Sequence, residues 1–268
     1  MSNSRSLAVK IRQNALQMVH GAKASHIGSA LSIADILAVL YGEIICIEAH
    51  NPLMADRDRF ILSKGHACTA VYAVLAELGF FPKDDLETYG EDFSPLMSHI
   101  SSQVAGVEFS TGALGHGLPF GVGKALAAQI RGASWRTFVL LSDGEMDEGS
   151  NWEALMFAAH YRLNNLTAII DYNKLQSLDS IANTMGLEPL MDKLFAFGCN
   201  AIEVDGHDHS ALKLALSNID KAKPTVIVAH TTKGKGISFM EGKVEWHYKN
   251  PNDEQLATAL AELEIANA

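Results

Sequence analysis

Two short turns in this chain hold residues able to grip a metal-bound anion. The first is Ser142-Asp143-Gly144-Glu145-Met146-Asp147-Glu148-Gly149, and the second is Asp171-Tyr172-Asn173-Lys174-Leu175. Asp143 offers a carboxylate and Asn173 a side-chain carbonyl. The sharp turn after Asn173 adds a backbone carbonyl, most simply that of Leu175. Magnesium takes about six oxygens in an octahedron, usually one or two from protein carboxylates and the rest from phosphate and water. A diphosphate chelated by such an ion fits this donor set. Gly144 lets backbone approach the phosphates, and a helix starting near Ser150 points its partial positive end the same way. Taken singly, Asp-Gly is an ordinary turn sequence. The pair gains meaning only if the fold brings both turns to one edge.

The flanking elements predict that it does. The run 136–141 is short and apolar and reads as a buried strand. Ser150-Asn151-Trp152-Glu153 has capping-box spacing, ahead of helix-compatible apolar residues from Ala154 to Tyr161. Leu166 to Asp171 reads as a second buried strand. Strand, helix, strand at this spacing is a parallel crossover, so both turns leave the same carboxyl edge of one sheet, where ligands of such sheets bind. Helices are predicted near 4–20, 32–46, 66–79, 117–131, 150–163 and 208–221, and strands near 136–142, 166–172, 200–205 and 224–230. This alternation predicts an α/β fold, a doubly wound parallel sheet, in a single domain over 1–268 with a helical tail at 251–268.

Composition narrows the function classes. Of the residues, 48% are hydrophobic but dispersed, and no run approaches the ~18 apolar residues of a membrane span. The start, Met1-Ser2-Asn3-Ser4-Arg5-Ser6, lacks the apolar stretch of a signal peptide, so a cytoplasmic location is expected. Cys46, Cys68 and Cys199 are odd in number and set in apolar segments, which reads as small core residues rather than disulfides. The net charge of −10 disfavours nucleic acid as a partner. His207 and His209 face one side of an extended segment, but no third ligand accompanies them as a zinc site requires. Lys233-Gly234-Lys235-Gly236 lacks P-loop spacing, and no GxGxxG opens a helix after the first strand.

The chain carries eleven histidines. His26, His66, His99 and His116 sit beside Gly or Ser in predicted loops, away from apolar helix faces. A loop histidine taken alone is most often a surface residue or a local hydrogen-bonder. Here a wider pattern bears on them. Asp143-Gly144 followed after about 28 residues by Asn173 is similar to the thiamine diphosphate signature, whose usual form begins Gly-Asp-Gly. Ser142 stands at its first glycine. Ser25-His26-Ile27-Gly28-Ser29, Ser63-Lys64-Gly65-His66-Ala67, Thr111-Gly112-Ala113-Leu114-Gly115-His116-Gly117, Asp205-Gly206-His207-Asp208, Thr232-Lys233-Gly234-Lys235-Gly236 and Trp246-His247 follow in family order. From about residue 7 to 260 the chain resembles the amino-terminal half of transketolase.

The resemblance implies thiamine diphosphate as cofactor, with Mg2+ or another divalent cation such as Ca2+ or Mn2+. Asp143, Asn173 and the Leu175 carbonyl match the metal ligands. Ser29, His66, Gly112, Ala113, Leu114, Asp143, Gly144, Glu148, Asn173 and Lys233 match or border the cofactor contacts. His26, His66, His99 and His247 match the catalytic histidines, and His26, Lys64, His99 and His247 fall on the sugar side. Tyr248 stands where relatives often have glycine, which reshapes the wall near His247. His20, His50, His160 and His230 match no role.

Family members build their site from two homologous α/β domains, the second supplying the glutamate that activates the cofactor's aminopyrimidine. No second domain is present in this sequence, and Glu145, Asp147 and Glu148 lie in the diphosphate loop. The expectation is therefore a complementary carboxyl-terminal transketolase subunit, two copies of each, passing a two-carbon ketol unit from a ketose phosphate to an aldose phosphate. Met156, Phe157 and the stretch 112–123 either face that partner or pack internally. Three alternatives stand beside it. An α-subunit of a 2-oxo acid dehydrogenase is opposed by the sequences at 63–66 and 111–115. A deoxyxylulose-phosphate-synthase-like enzyme is opposed by chain length and Trp246-His247. A non-catalytic scaffold subunit is opposed by the intact Asp143, Asn173 and histidine positions.

Overall fold

The computed structural model describes residues 4–267, so Met1, Ser2 and Asn3 of the polar amino terminus and Ala268 of the tail lie outside it. Five strands form one parallel sheet: β1 (Arg59–Leu62), β2 (Thr137–Ser142), β3 (Leu166–Tyr172), β4 (Asn200–Asp205) and β5 (Thr225–His230), in the spatial order β1-β2-β3-β5-β4. Registers Ser142↔Asp171 and Tyr172↔His230 bring the carboxyl ends of the three central strands level. Alternate side chains enter opposite cores, as the period-2 geometry of a strand requires. Phe138, Leu140, Ile169 and Ile227 join one cluster, and Val139, Leu141, Ile170 and Val228 the other. Burial on both faces is why these strands read as continuous apolar runs.

One face is covered by α1 (Ser4–Gly21), α2 (Ile27–Ser32), α3 (Ala34–Val39), α4 (Cys68–Glu77), α9 (His209–Ser217) and the tail helix α10 (Asp253–Asn267). The other carries α5 (Gly117–Arg131), α6 (Gly149–His160) and α8 (Leu190–Ala196), with a short α7 (Ile181–Thr184) before α8. The sheet is thus doubly wound as expected. Among the described residues, no helix is long and apolar enough to cross a membrane.

Several local expectations are corrected. The helix foreseen at 32–46 breaks at Ile33 into α2 and α3 and closes in a wide turn over Leu40–Ile44, where Ile45 N donates to Leu40 O at 2.9 Å. The capping box at Ser150 does not form. Glu148 occupies the cap without a side-chain bond, and Ser150 Oγ instead donates to Gly115 O at 2.7 Å. Asn151 Nδ2 and Trp152 Nε1 reach back to the carbonyls of Glu145 and Met146. The first turn of α6 is spent on anchoring the site loops rather than on capping itself. β1 and α8 were absent from the sequence expectation.

Candidate active site

The two turns do meet at one edge. Asp143 N donates to Asp171 O at 3.2 Å, linking the ends of β2 and β3. The Asp143 carboxylate, 1% exposed, accepts Gly144 N at 2.8 Å and Lys174 N at 2.6 Å. Burial, and then the neighbouring Asp171, push its pKa up to about 7. A buried carboxylate served only by amides, beside a second carboxylate, is a place where a cation lowers the energy. Asn173 is held by Nδ2 on Asp171 Oδ2 at 3.0 Å, and its Oδ1 accepts Leu175 N at 3.1 Å. The Leu175 carbonyl is engaged at 3.3 Å by Lys233 Nζ, which also meets Gln176 O at 2.9 Å and His247 Nδ1 at 3.0 Å. Among the described residues, no three His, Cys, Asp or Glu are grouped to hold a metal. The donor set that fits an ion here is one carboxylate, one amide and a carbonyl, completed by phosphate.

Ser142, the departure from Gly-Asp-Gly, is accommodated by hydrogen bonding. Its hydroxyl accepts Glu145 N at 3.3 Å, and its own N–H donates to Glu145 Oε2 at 3.2 Å. Glu145 is buried and also accepts Ser63 Oγ at 2.5 Å and Gly115 N at 2.9 Å, so it ties three loops together. Gly115 needs its freedom: φ is +78°, and a Cβ would stand 2.6 Å from Glu148 Cβ. Gly65 lies so close to Thr111 that a Cβ would meet its carbonyl at 2.4 Å.

A cleft of about 220 Å3 opens at this edge, lined by Ser29, His66, Leu114, Ser142, Asp143, Gly144, Asn173, Leu175, Gln176, Ser177, Lys233, His247 and Tyr248. At its mouth four histidines converge. The His26 ring lies 5.0 Å from those of His66 and His247 and 6.0 Å from that of His99, and His66 lies 5.7 Å from His247. His26 adopts φ 74° and donates its N–H to His247 O at 2.8 Å, which ties the start of α2 to the turn at Val244–His247. Among the described residues none of the four pairs with a carboxylate. Burial lowers the pKa of His26 to about 4, helped by His99, and that of His247 to about 3, helped by Lys233; His66 also lies well below its ordinary value. Burial, with Lys64, lowers Lys233 to about 8. Tyr248 stacks edgewise on His247 at 4.8 Å and forms an aromatic wall.

Not every expected residue reaches this cleft. Lys64, foreseen on the sugar side, is fully buried with its ammonium 2.6 Å from Asp171 Oδ2, because a buried carboxylate needs a counter-ion. Glu148 lies exposed at the start of α6, outside the cleft lining. Gly112 and Ala113 are exposed and also outside that lining, Gly112 facing the His99 ring. Within 112–123, Gly117 and Gly121 pack internally, against Ser63 and Val139, while Met156 and Phe157 are exposed on α6. His116 turns onto the Leu114 carbonyl at 2.9 Å. His207 and His209 converge on Asp35, at 2.7 and 3.1 Å, which leaves them no zinc-binding role. Gln176 and Ser177 were missed. Asp171 was missed as the hub, although its place two residues before Asn173 marks it as a neighbour of the clamp.

Comparison with known proteins agrees with this geometry. Residues 3–265 match the family model described as transketolase, thiamine diphosphate binding domain. One of the two named subunits of an apulose-4-phosphate transketolase, from Phocaeicola vulgatus, is 42% identical over 95% of this chain and 91% of its own length. The 6-deoxy-6-sulfo-D-fructose transketolase subunit SqwG of a Clostridium species is 40% identical over 96% and 95%. Among solved structures, transketolase from Campylobacter jejuni superposes with a TM-score of 0.92 at 29% identity, over 97% of this chain and 42% of that one. Transketolase from Leishmania mexicana gives 0.91 at 33%, over 98% and 42%. The strand-end clamp, the histidine cluster and these matches lead to one conclusion: the chain belongs to the transketolase thiamine-diphosphate-binding domain family.

Proposed function

We propose that this chain is the diphosphate-binding subunit of a two-subunit transketolase, moving a two-carbon ketol unit between sugars together with a complementary carboxyl-terminal subunit. The observation that carries the reading is the convergence of the Asp143–Asn173 turns and four carboxylate-free histidines on one cleft. Asp143, Asn173 and the Leu175 carbonyl would hold a divalent cation such as Mg2+ on the diphosphate, with Ser29, His66, Leu114 and Gly144 around the cofactor. When bound, the cofactor supplies the nucleophilic carbon and the electron sink for breaking a carbon–carbon bond beside a carbonyl.

The chain's own residues supply the rest. His26, His66 and His247 are kept neutral by burial at pH 7, so a ring nitrogen can accept a proton from a sugar hydroxyl and return it. His99 closes the same mouth beside His26. Lys233 holds positive charge beside His247 and on the 175–176 carbonyls, and it must release the Leu175 carbonyl for that oxygen to meet a cation. Tyr248 narrows the wall. Relatives named for apulose 4-phosphate and 6-deoxy-6-sulfo-D-fructose support a specialised phosphorylated or sulfonated sugar beside the usual pentose phosphates. The free thiols of Cys46, Cys68 and Cys199 agree with a cytoplasmic setting.

The names of the matching subunits support a partner, and exposed Met156 and Phe157 offer it apolar contacts. A two-plus-two assembly is the expected form. The test is ketol transfer with the purified chain alone, then with its complementary subunit, in the presence of Mg2+ and thiamine diphosphate. Activity only in the mixture is expected. Full turnover by the chain alone, or pyruvate decarboxylation in place of ketol transfer, would overturn the proposal.

A further inference from the structure

Lys64 is the most deeply buried cation of the site, and its surroundings give it a task that neither sugar nor cofactor contact explains. Its side chain is 0% exposed, with Nζ 2.6 Å from Asp171 Oδ2 and 3.1 Å from Ser29 O, and it is absent from the cleft lining. Asp171 is equally buried. Its Oδ2 also accepts Ser32 Oγ at 2.7 Å and Asn173 Nδ2 at 3.0 Å, while Oδ1 accepts Thr231 Oγ1. Among the described residues Lys64 is the one cation bonded to Asp171.

The consequence runs outward. Asn173 has two donors and one acceptor oxygen on a planar amide. With Nδ2 turned inward onto Asp171, Oδ1 faces the cleft, where Asn173 is part of the lining. If Asp171 lost its counter-ion, a bare carboxylate would remain buried beside Asp143, and the anchor of the Asn173 amide would loosen. Ser29, whose carbonyl takes the second Lys64 bond, lines the same cleft.

We infer that Lys64 is a positioning residue: acting through Asp171, it orients the Asn173 amide oxygen toward the cation site and never touches the sugar. The inference rests on the cofactor site proposed above. Partners that orient a metal ligand typically contribute about 10- to 100-fold in metal affinity, and removing Lys64 is expected to cost that much.

The experiment measures Mg2+-dependent thiamine diphosphate binding by calorimetry, and Mn2+ coordination by electron paramagnetic resonance, on the chain assembled with its complementary subunit. Sugar KM is measured alongside at saturating cofactor. Lys64→Met should weaken cation and cofactor binding by about 10- to 100-fold, alter the Mn2+ spectrum and leave sugar KM unchanged. Lys64→Met/Asp171→Asn should bind no more weakly than Asp171→Asn alone, since residues acting as one unit are non-additive. If the single variants fail to fold, the double variant, which leaves no charge unpaired, carries the same comparison against wild type. A raised sugar KM with intact cofactor affinity would overturn the inference. So would wild-type cation binding in a folded Lys64 variant, which leaves the proposed function standing. Absence of Mg2+-dependent cofactor binding by the wild type would overturn both.

Discussion

The fold gathers histidines in two places and treats them in opposite ways. His207 and His209 close on Asp35, whose carboxylate is also held by Arg12 Nη2 at 2.6 Å and Nη1 at 3.1 Å. Their remaining ring nitrogens are used as well: His207 Nε2 accepts Thr232 N at 2.9 Å, and His209 Nδ1 meets Ser4 Oγ at 2.9 Å. These bonds hold Asp35 well below the usual carboxylate range, with burial opposing. His26, His66, His99 and His247 instead face one another across 5.0 to 6.0 Å with no carboxylate, their ring nitrogens largely unspent. The first group has used its hydrogen-bonding capacity on the fold and the second has kept it for a ligand. Residue type alone does not separate scaffold from site; the remaining bonding capacity does.

The sharpest way to break this contrast is to remove the mouth histidines one at a time and, separately, the carboxylate that binds the other pair. His26→Ala, His66→Ala, His99→Ala and His247→Ala in the assembled enzyme should lower ketol transfer by roughly 10²–10⁴-fold where the residue moves a proton. Where it only holds hydroxyls, KM should rise instead. Thermal melting should stay near wild type, and steady-state kinetics beside calorimetry decides the matter. Asp35→Ala should do the reverse. It leaves Arg12 buried without its partner, which costs about 3–5 kcal/mol of stability, while turnover of the folded fraction in the cold is retained. Lost turnover with an unchanged denaturation midpoint would contradict the scaffold role.

Acid sharpens the comparison further. His26 and His247 have folded pKa values near 4 and 3, below the ordinary value of 6.5. Between these values the unfolded chain binds more protons, so stability rises with pH and is lost as pH falls from about 6.5 toward 4 and 3. Urea denaturation across that range should show the decline, and His26→Ala should make it shallower. The smallest effect is the control. His160, at the end of α6 against the Tyr161 ring, should tolerate alanine with stability within about 0.5 kcal/mol and unchanged kinetics.

What the sequence made legible follows from where the information is local. β2, α6 and β3 were readable because buried parallel strands are continuous apolar runs, and the Asp143 and Asn173 turns sit at their ends. β1 escaped notice: four residues beginning with Arg59 carry little pattern, and its pairing with β2 is a tertiary fact. The break at Ile33 lies inside an unbroken apolar stretch, so nothing in residue type announces it. The four cleft histidines were found through motif order, since they lie tens of residues apart and only the fold brings their rings together. Lys64 was misplaced for the complementary reason. A lysine beside a site histidine reads as a ligand contact until Asp171, more than a hundred residues later, is seen to bury it.

The central claim is that the Asp143–Asn173 edge and the histidine mouth form one thiamine diphosphate cleft. Calorimetric titration of thiamine diphosphate into the chain with its complementary subunit, with and without Mg2+, tests it most directly, using wild type, Asp143→Ala and Asp35→Ala. Saturable binding is predicted that needs Mg2+, is lost in Asp143→Ala and persists in Asp35→Ala held below its melting temperature. Wild-type affinity in a folded Asp143→Ala, or binding indifferent to Mg2+, would contradict the account.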